Sequence, residues 1–188
     1  MADMGLGEIG TRNDLVFKRK FRWTFTVLTG CSGTIPEHFV KLASRPNISV
    51  EETEINFRHG KTWIPGKGTW ETITVTYYDV NQTDNLDLYS WLATVYDFTD
   101  PVGLKQASKR SEYGAVGTLT LFDGCGSPME RWEMEGMWPT TINFGDLDYS
   151  NSEEVTIELT LRYDQVKYTP ICPAGGIAPC CTPCNSGS

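Results

Sequence analysis

Nucleophilic catalysis in a 188-residue chain with two histidines must be built on His38 or His59, because a hydroxyl or thiol nucleophile needs a base beside it. His38 stands in Glu37-His38-Phe39-Val40, at the start of an apolar strand, and His59 in Phe57-Arg58-His59-Gly60-Lys61, a loop with glycine turns. No Gly-x-Ser-x-Gly surrounds a serine, and neither Cys31 nor Cys125 has a recognisable nucleophile context. Both histidines read as ordinary surface or core residues. Carboxylates are plentiful in Glu51/Glu52/Glu54, Glu130/Glu133/Glu135 and Asp146/Asp148. Glycoside hydrolysis, however, needs two of them facing across a cleft with one pKa raised. Most of these acids alternate with apolar residues, as the solvated face of a strand does. Asp146-Leu147-Asp148 lacks the EF-hand ligand register, and there is no Walker A run and no Gly-x-Gly-x-x-Gly. No catalytic residue and no cofactor are expected.

Metal chemistry has one opening, in Cys172, Cys180, Cys181 and Cys184. Four thiolates can hold zinc, but adjacent Cys180 and Cys181 are awkward joint ligands of one tetrahedron. Disulfides and free thiols are the other readings of this tail, and no metal is expected. A small disulfide scaffold would spread its cysteines and carry a secretion signal, whereas Met1 to Gly10 shows no apolar h-region. With 16 basic against 24 acidic residues the formal charge is −8, which argues against a dedicated nucleic-acid binder. Nor does any stretch approach the ~20 apolar residues of a spanning helix.

The elements that must position these residues are mostly strands. Phe21, Trp23, Phe25 and Val27 alternate with polar residues, as do Ile73, Val75 and Tyr77, and Val155, Ile157, Leu159, Leu161 and Tyr163. Ile48 and Val50, then Ile55 and Phe57, suggest a further extended stretch interrupted by Glu51, Glu52 and Glu54, and Gly117–Phe122 and Met129–Met137 flank the turn-rich run 123–128. One segment breaks the pattern: Asp84-Asn85-Leu86-Asp87 precedes Leu88, Trp91, Leu92 and Val95 at i, i+3, i+4, i+7, a helix of about three turns. Five to eight antiparallel strands with one helix predict a small sandwich or barrel closed by that helix. Both ends lack periodicity, and Gln165–Ser188 carries four prolines and one charge, so it reads as an irregular extension.

Two basic stretches remain. Arg58, His59, Lys61 and Lys67 surround Trp63-Ile64-Pro65 in a connection too long for a hairpin turn, on an otherwise acidic chain. A basic, partly apolar loop of this kind suits docking to another subunit. Lys18-Arg19-Lys20 with Arg22 reads as a solvated or inter-subunit patch rather than a localisation signal. Trp23, Trp91 and Trp132 fall on apolar phases and read as core; Trp63 does not, and with Trp138 it offers the alternative of a sugar-stacking β-sandwich module.

The ordered set Val116–Asp123, Glu130-Arg131-Trp132-Glu133-Met134-Glu135, Gly136-Met137-Trp138-Pro139-Thr140 as a turn, Gly145-Asp146-Leu147-Asp148-Tyr149-Ser150 and Val155–Asp164 resembles the tail tube proteins of contractile-tailed bacteriophages. The order of Ile55–Phe57, the basic loop, Gly68-Thr69-Trp70-Glu71 and the Trp91 helix is similar to that family too. The resemblance covers about Arg19 to Asp164, a tail-tube β domain (19–164) between an N-terminal arm (1–18) and the irregular Cys/Pro-rich extension (165–188), whose part beyond Tyr168 departs from the family pattern. It further implies a mainly β, antiparallel β-sandwich or barrel subunit with one flanking α-helix, and hexameric rings forming a continuous inner β-barrel. Rings would stack into the hollow inner tail tube that conducts the genome. The implied partners are copies of itself, the tail sheath protein, and baseplate and tail-terminator proteins. DNA would pass through the lumen without specific binding, and no membrane is bound by the subunit. The implied location is the virion, after assembly in the host cytoplasm. Similar subunits build the inner tubes of non-phage contractile injection particles, the nearest alternative. On this pattern Arg58, His59, Lys61, Trp63, Ile64 and Lys67 form an inter-ring contact loop, and Lys18, Arg19 and Lys20 an N-terminal inter-subunit contact. Six copies at −8 each carry −48 per ring, a charge that repels DNA phosphates from the wall.

Overall fold

The computed structural model describes residues 18–30, 33–81, 83–100, 107, 109–123, 126–150 and 152–171. All six cysteines, and with them the zinc, disulfide and thiol readings, lie outside the described residues, as do residues 1–17 of the N-terminal arm.

The described residues form β1 (Trp23–Thr29), β2 (Gly33–Ile35), a single 3-10 turn (Glu37–Phe39), β3 (Val40–Ala43), β4 (Ile48–Phe57), β5 (Gly60–Trp70) and β6 (Ile73–Tyr78). Helix α1 (Thr83–Val95), the one-turn helix α2 (Arg110–Tyr113), β7 (Ala115–Phe122), β8 (Pro128–Asn143), β9 (Thr156–Arg162) and β10 (Gln165–Pro170) follow. Every strand pairing is antiparallel. The sheet runs β2-β1-β7-β8-β9-β6-β3, with β10 also on β8, while β4 and β5 pair only with each other.

Strand β8 joins two layers. Its first half pairs with β7 and β10, and its last residues, from Trp138, pair with β9. Only Tyr163 and Asp164 separate β9 from β10, so the two run as one long strand beside β8, with the Asp164 amide donating to the Glu135 carbonyl at 3.0 Å. The bend falls at Gly136, whose φ of +65° is a left-handed conformation that a side chain would strain. Gly136-Met137-Trp138-Pro139-Thr140, expected as a turn, is therefore a bend inside a 16-residue strand. It shifts the side-chain phase so that Met134 and Met137, three apart, both point inward.

The core follows the period-2 pattern. Phe25 and Val27 on β1, Val75 and Tyr77 on β6, and Leu159 and Leu161 on β9 are all at most 1% exposed. Each such aliphatic side chain contributes ~1.5–3 kcal/mol by leaving water. Helix α1 adds Leu88, Trp91 and Leu92 to the same core, and the Trp91 indole N–H donates to the Tyr113 carbonyl at 2.9 Å, tying α1 to α2. Burial pushes the phenols of Tyr77 and Tyr163 up in pKa, and neither hydroxyl has a hydrogen-bond partner among the described residues.

Three further expectations change. Phe21, placed on the apolar phase of the first strand, lies before β1 and is 75% exposed. Gln165–Pro170, expected to be irregular, is strand β10, because it has an open ladder on β8 to join. Ten strands stand where five to eight were expected, since β2 and β3 are too short to show a period.

Candidate assembly surfaces

The basic connection is a ribbon rather than a loop. Strands β4 and β5 pair from Ile48↔Trp70 to Phe57↔Gly60, leaving only Arg58 and His59 as the turn. Thr62, Trp63 and Ile64 are good strand formers. Gly66, Lys67 and Pro65 hid the alternation because the ladder slips there, between Val50 and Glu52. Proline is tolerated at such a bulge and on a strand with a free edge.

Of the ribbon's 21 residues only Glu54 and Trp70 are even half-buried. One face presents Ile55, Phe57 and Ile64, with Phe57 64% exposed; the other presents Val50, Trp63 and Pro65 beside a Lys61–Glu54 ion pair of 2.7 Å. An isolated two-stranded hairpin is marginal in water, and apolar side chains on both faces raise the demand for a partner surface. Arg58, His59, Lys61, Trp63, Ile64 and Lys67 are all exposed and all lie on this ribbon, the first two at its tip.

The second surface is the start of the described chain. Glu130, read as part of a solvated acidic face, is 1% exposed. It shares the parity of Trp132 and Met134 on β8, which is the signal that would have placed it inside. Lys18 ion-pairs with its Oε2, Arg45 Nη2 donates to Oε1 at 2.7 Å, and the Tyr168 hydroxyl lies 3.4 Å from Oε2. Burial by itself would raise this carboxyl. The hydrogen bond from Lys18 and the charges of Arg45 and Lys18 outweigh burial and hold it below the ordinary carboxylate value. Lys18 thus pairs within its own chain, whereas Arg19 and Lys20 are exposed on the rim of a groove. Sequence reasoning missed Arg45 and Tyr168, which come to Glu130 from 85 and 38 residues away.

The remaining candidates are dispersed. His38 and His59 are both exposed, and among the described residues no three His, Cys, Asp or Glu side chains gather as a metal site. Trp138 is half-buried and packs edge-on against Tyr113, with ring centroids 6.4 Å apart, while Trp63 stands on the ribbon.

Known proteins match this arrangement. The family model of the T4-like virus tail tube protein gp19 matches residues 22–167. The fold is similar to a chain of the anti-feeding prophage (AFP) baseplate, 6-fold symmetrised, at TM-score 0.65 and 13% identity over 83% of this chain and 97% of that one. It is similar to a chain of the extended sheath–tube complex of PVC, an extracellular contractile injection system, at TM-score 0.64 and 17% identity over 90% and 100%. The sheath/tube terminator structure of the same system gives TM-score 0.65 and 18% identity over 83% and 99%. No curated protein matches the chain.

Proposed function

The chain belongs to the T4-like virus tail tube protein family, whose members are structural tube proteins, and on that premise we propose that six copies close into a ring and that rings stack into the hollow inner tube of a contractile tail. The observation that carries the assembly reading is the β4–β5 ribbon: long, exposed, apolar on both faces and, among the described residues, paired with no other strand. On this reading the ribbon reaches the neighbouring ring, with Trp63 and Ile64 as apolar anchors and Arg58, His59, Lys61 and Lys67 meeting acids of that ring. Joining edge strands between subunits into one inner barrel removes the open edges of β2 and β3.

The subunit has a conducting rather than a catalytic role. A ring charge of −48, from six copies at −8, disfavours DNA adhesion, so the genome passes without specific binding. Partners on this reading are further copies, a sheath protein around the tube, and baseplate and terminator proteins at its ends. The subunit itself engages no membrane, is assembled in the host cytoplasm and ends in the virion. A non-phage contractile injection particle is the second reading, favoured by the fold likeness to the AFP and PVC chains. Capsid and terminase genes beside this one separate the two.

Electron microscopy of the concentrated protein tests the proposal. Rings or hollow tubes with sixfold end views are expected. Replacing Arg58, Lys61 and Lys67 together with Glu should leave a folded subunit that no longer extends tubes. Normal tube growth by that variant would refute the ribbon's role, and a stable monomer retained on immobilised glycans would favour the sugar-binding alternative instead.

A further inference from the structure

Beside the Glu130 cluster the two sheets leave a groove of about 480 Å³, floored by Trp23 of β1, Leu42 and Ala43 of β3, and Leu119 and Leu121 of β7. Its rim carries Lys18, Arg19, Lys20, Lys41 and Arg45, and among the described residues no acid lines it. Glu130 answers Lys18 and Arg45, which leaves a positively charged, apolar-floored groove on a chain of net charge −8. The segment between β8 and β9 is its complement. There Leu147 and Tyr149 are 83% and 112% exposed, set among Asp146, Asp148, Glu153 and Glu154. The segment's part before residue 151 is held by two local hydrogen bonds, Asn143 Oδ1 accepting from the Gly145 amide at 3.0 Å and Asp148 Oδ1 from the Ser150 amide at 2.9 Å.

We infer that this groove receives residues 145–150 and 152–155 of a second copy of the chain, with Leu147 and Tyr149 on the apolar floor and the acids against the cationic rim. The inference rests on the tube reading and adds to it a contact separate from the ribbon. No residue lines both the groove and the segment. The contact is therefore heterologous, a projection of one copy in a recess of the next, and such contacts propagate around a ring or along a filament rather than closing a two-fold dimer. Its polar half is salt-sensitive, since the rim charges Arg19, Lys20 and Lys41 are exposed.

The test uses two full-length variants changed only at exposed positions: R19E/K20E/K41E in the groove and D146K/E154K in the segment. Sedimentation velocity and electron microscopy measure the concentration at which each assembles, and near-UV circular dichroism checks that each is folded. Each variant alone should need roughly tenfold more protein or worse to assemble. An equimolar mixture, and a chain carrying all five changes, should recover much of the loss, because each acidic groove then meets a segment whose net charge has gone from −4 to zero instead of one that repels it, and in the mixture each unchanged groove still has an unchanged segment. Variants that assemble like the unchanged protein, or a mixture that fails to recover, would overturn the contact and leave the tube reading standing. Loss with the groove variant alone would assign the groove to another acidic stretch, such as residues 1–17 with Asp3, Glu8 and Asp14, and overturn it equally. An unchanged protein that stays monomeric at every concentration would remove the tube reading and this contact together.

Discussion

Deleting the same two ion pairs from opposite sides should have unequal consequences. Glu130 is 1% exposed, whereas its partners Lys18 and Arg45 are 45% and 51% exposed. In E130Q both cations simply rehydrate, and the loss is that of charge-assisted hydrogen bonds, about 1–2 kcal/mol. In K18M/R45M the carboxylate stays buried without a counter-charge, and breaking a buried pair in that sense costs ~3–5 kcal/mol. The pH dependence separates them further. In the unchanged protein the Glu130 pKa is lowered, so its contribution is present at neutral pH and is lost as pH falls through the folded-state value. In K18M/R45M burial, the largest influence, is opposed only by the weaker pull of the Trp132 indole N–H, so the pKa rises above its unfolded value and protonation relieves the penalty as pH falls. The stability gap between K18M/R45M and the unchanged protein should therefore be widest near pH 7 and close toward about pH 4. Urea titrations followed by tryptophan fluorescence, on dilute subunits at several pH values, measure it. Equal losses in E130Q and K18M/R45M, or a gap that does not move with pH, would refute the reasoning.

Two further outcomes follow from single residues. Tyr77 is fully buried with its hydroxyl unpartnered among the described residues, so Tyr77→Phe should stabilise by about 1 kcal/mol in the same titration. Its raised pKa means that the unfolded chain alone ionises above about pH 10, so stability falls as pH rises there, by ~1.4 kcal/mol per pH unit for each such phenol, and Tyr77→Phe should make the fall shallower. Gly136→Ala should cost ~1–2 kcal/mol, chiefly because φ +65° strains any residue with a Cβ; that Cβ would also stand 2.5 Å from Arg110 Nη2 and 2.6 Å from Asp164 Oδ2, flexible side-chain ends that can shift. Moving the same substitution into an Arg110→Ala background should recover the part due to overlap, and thermal melts of the single and double variants report the difference.

Much of the β framework was legible along the chain, and the reason lies in particular residues. Ile157, Leu159 and Leu161 alternate without a break, and all three are fully buried. Leu88, Trp91 and Leu92 carry the helical spacing and reach the core as that spacing predicts. The ribbon was half legible: Ile48–Phe57 appears with the expected bounds, but its partner was hidden by Gly66, Pro65 and Lys67 around a slip in register. Glu130 was misjudged because a charge among other charges on an alternating strand reads as solvated, although its parity with Met134 pointed inward.

The amino-acid sequence alone marked β1, β4, β6, β7, β9, the first part of β8 and the helix α1, because alternation and the 3.6-residue period are local properties of consecutive side chains. The order of elements was enough to mark the resemblance to tail tube proteins. Only the tertiary structure decided that β8 bends at Gly136 to serve both sheets, that the basic stretch stands away from the body as a ribbon, and that Lys18 and Arg45 meet over Glu130 from 112 and 85 residues away. Those are facts of register and long-range contact. They depend on which strand edge lies beside which, and short-range periodicity carries no record of that.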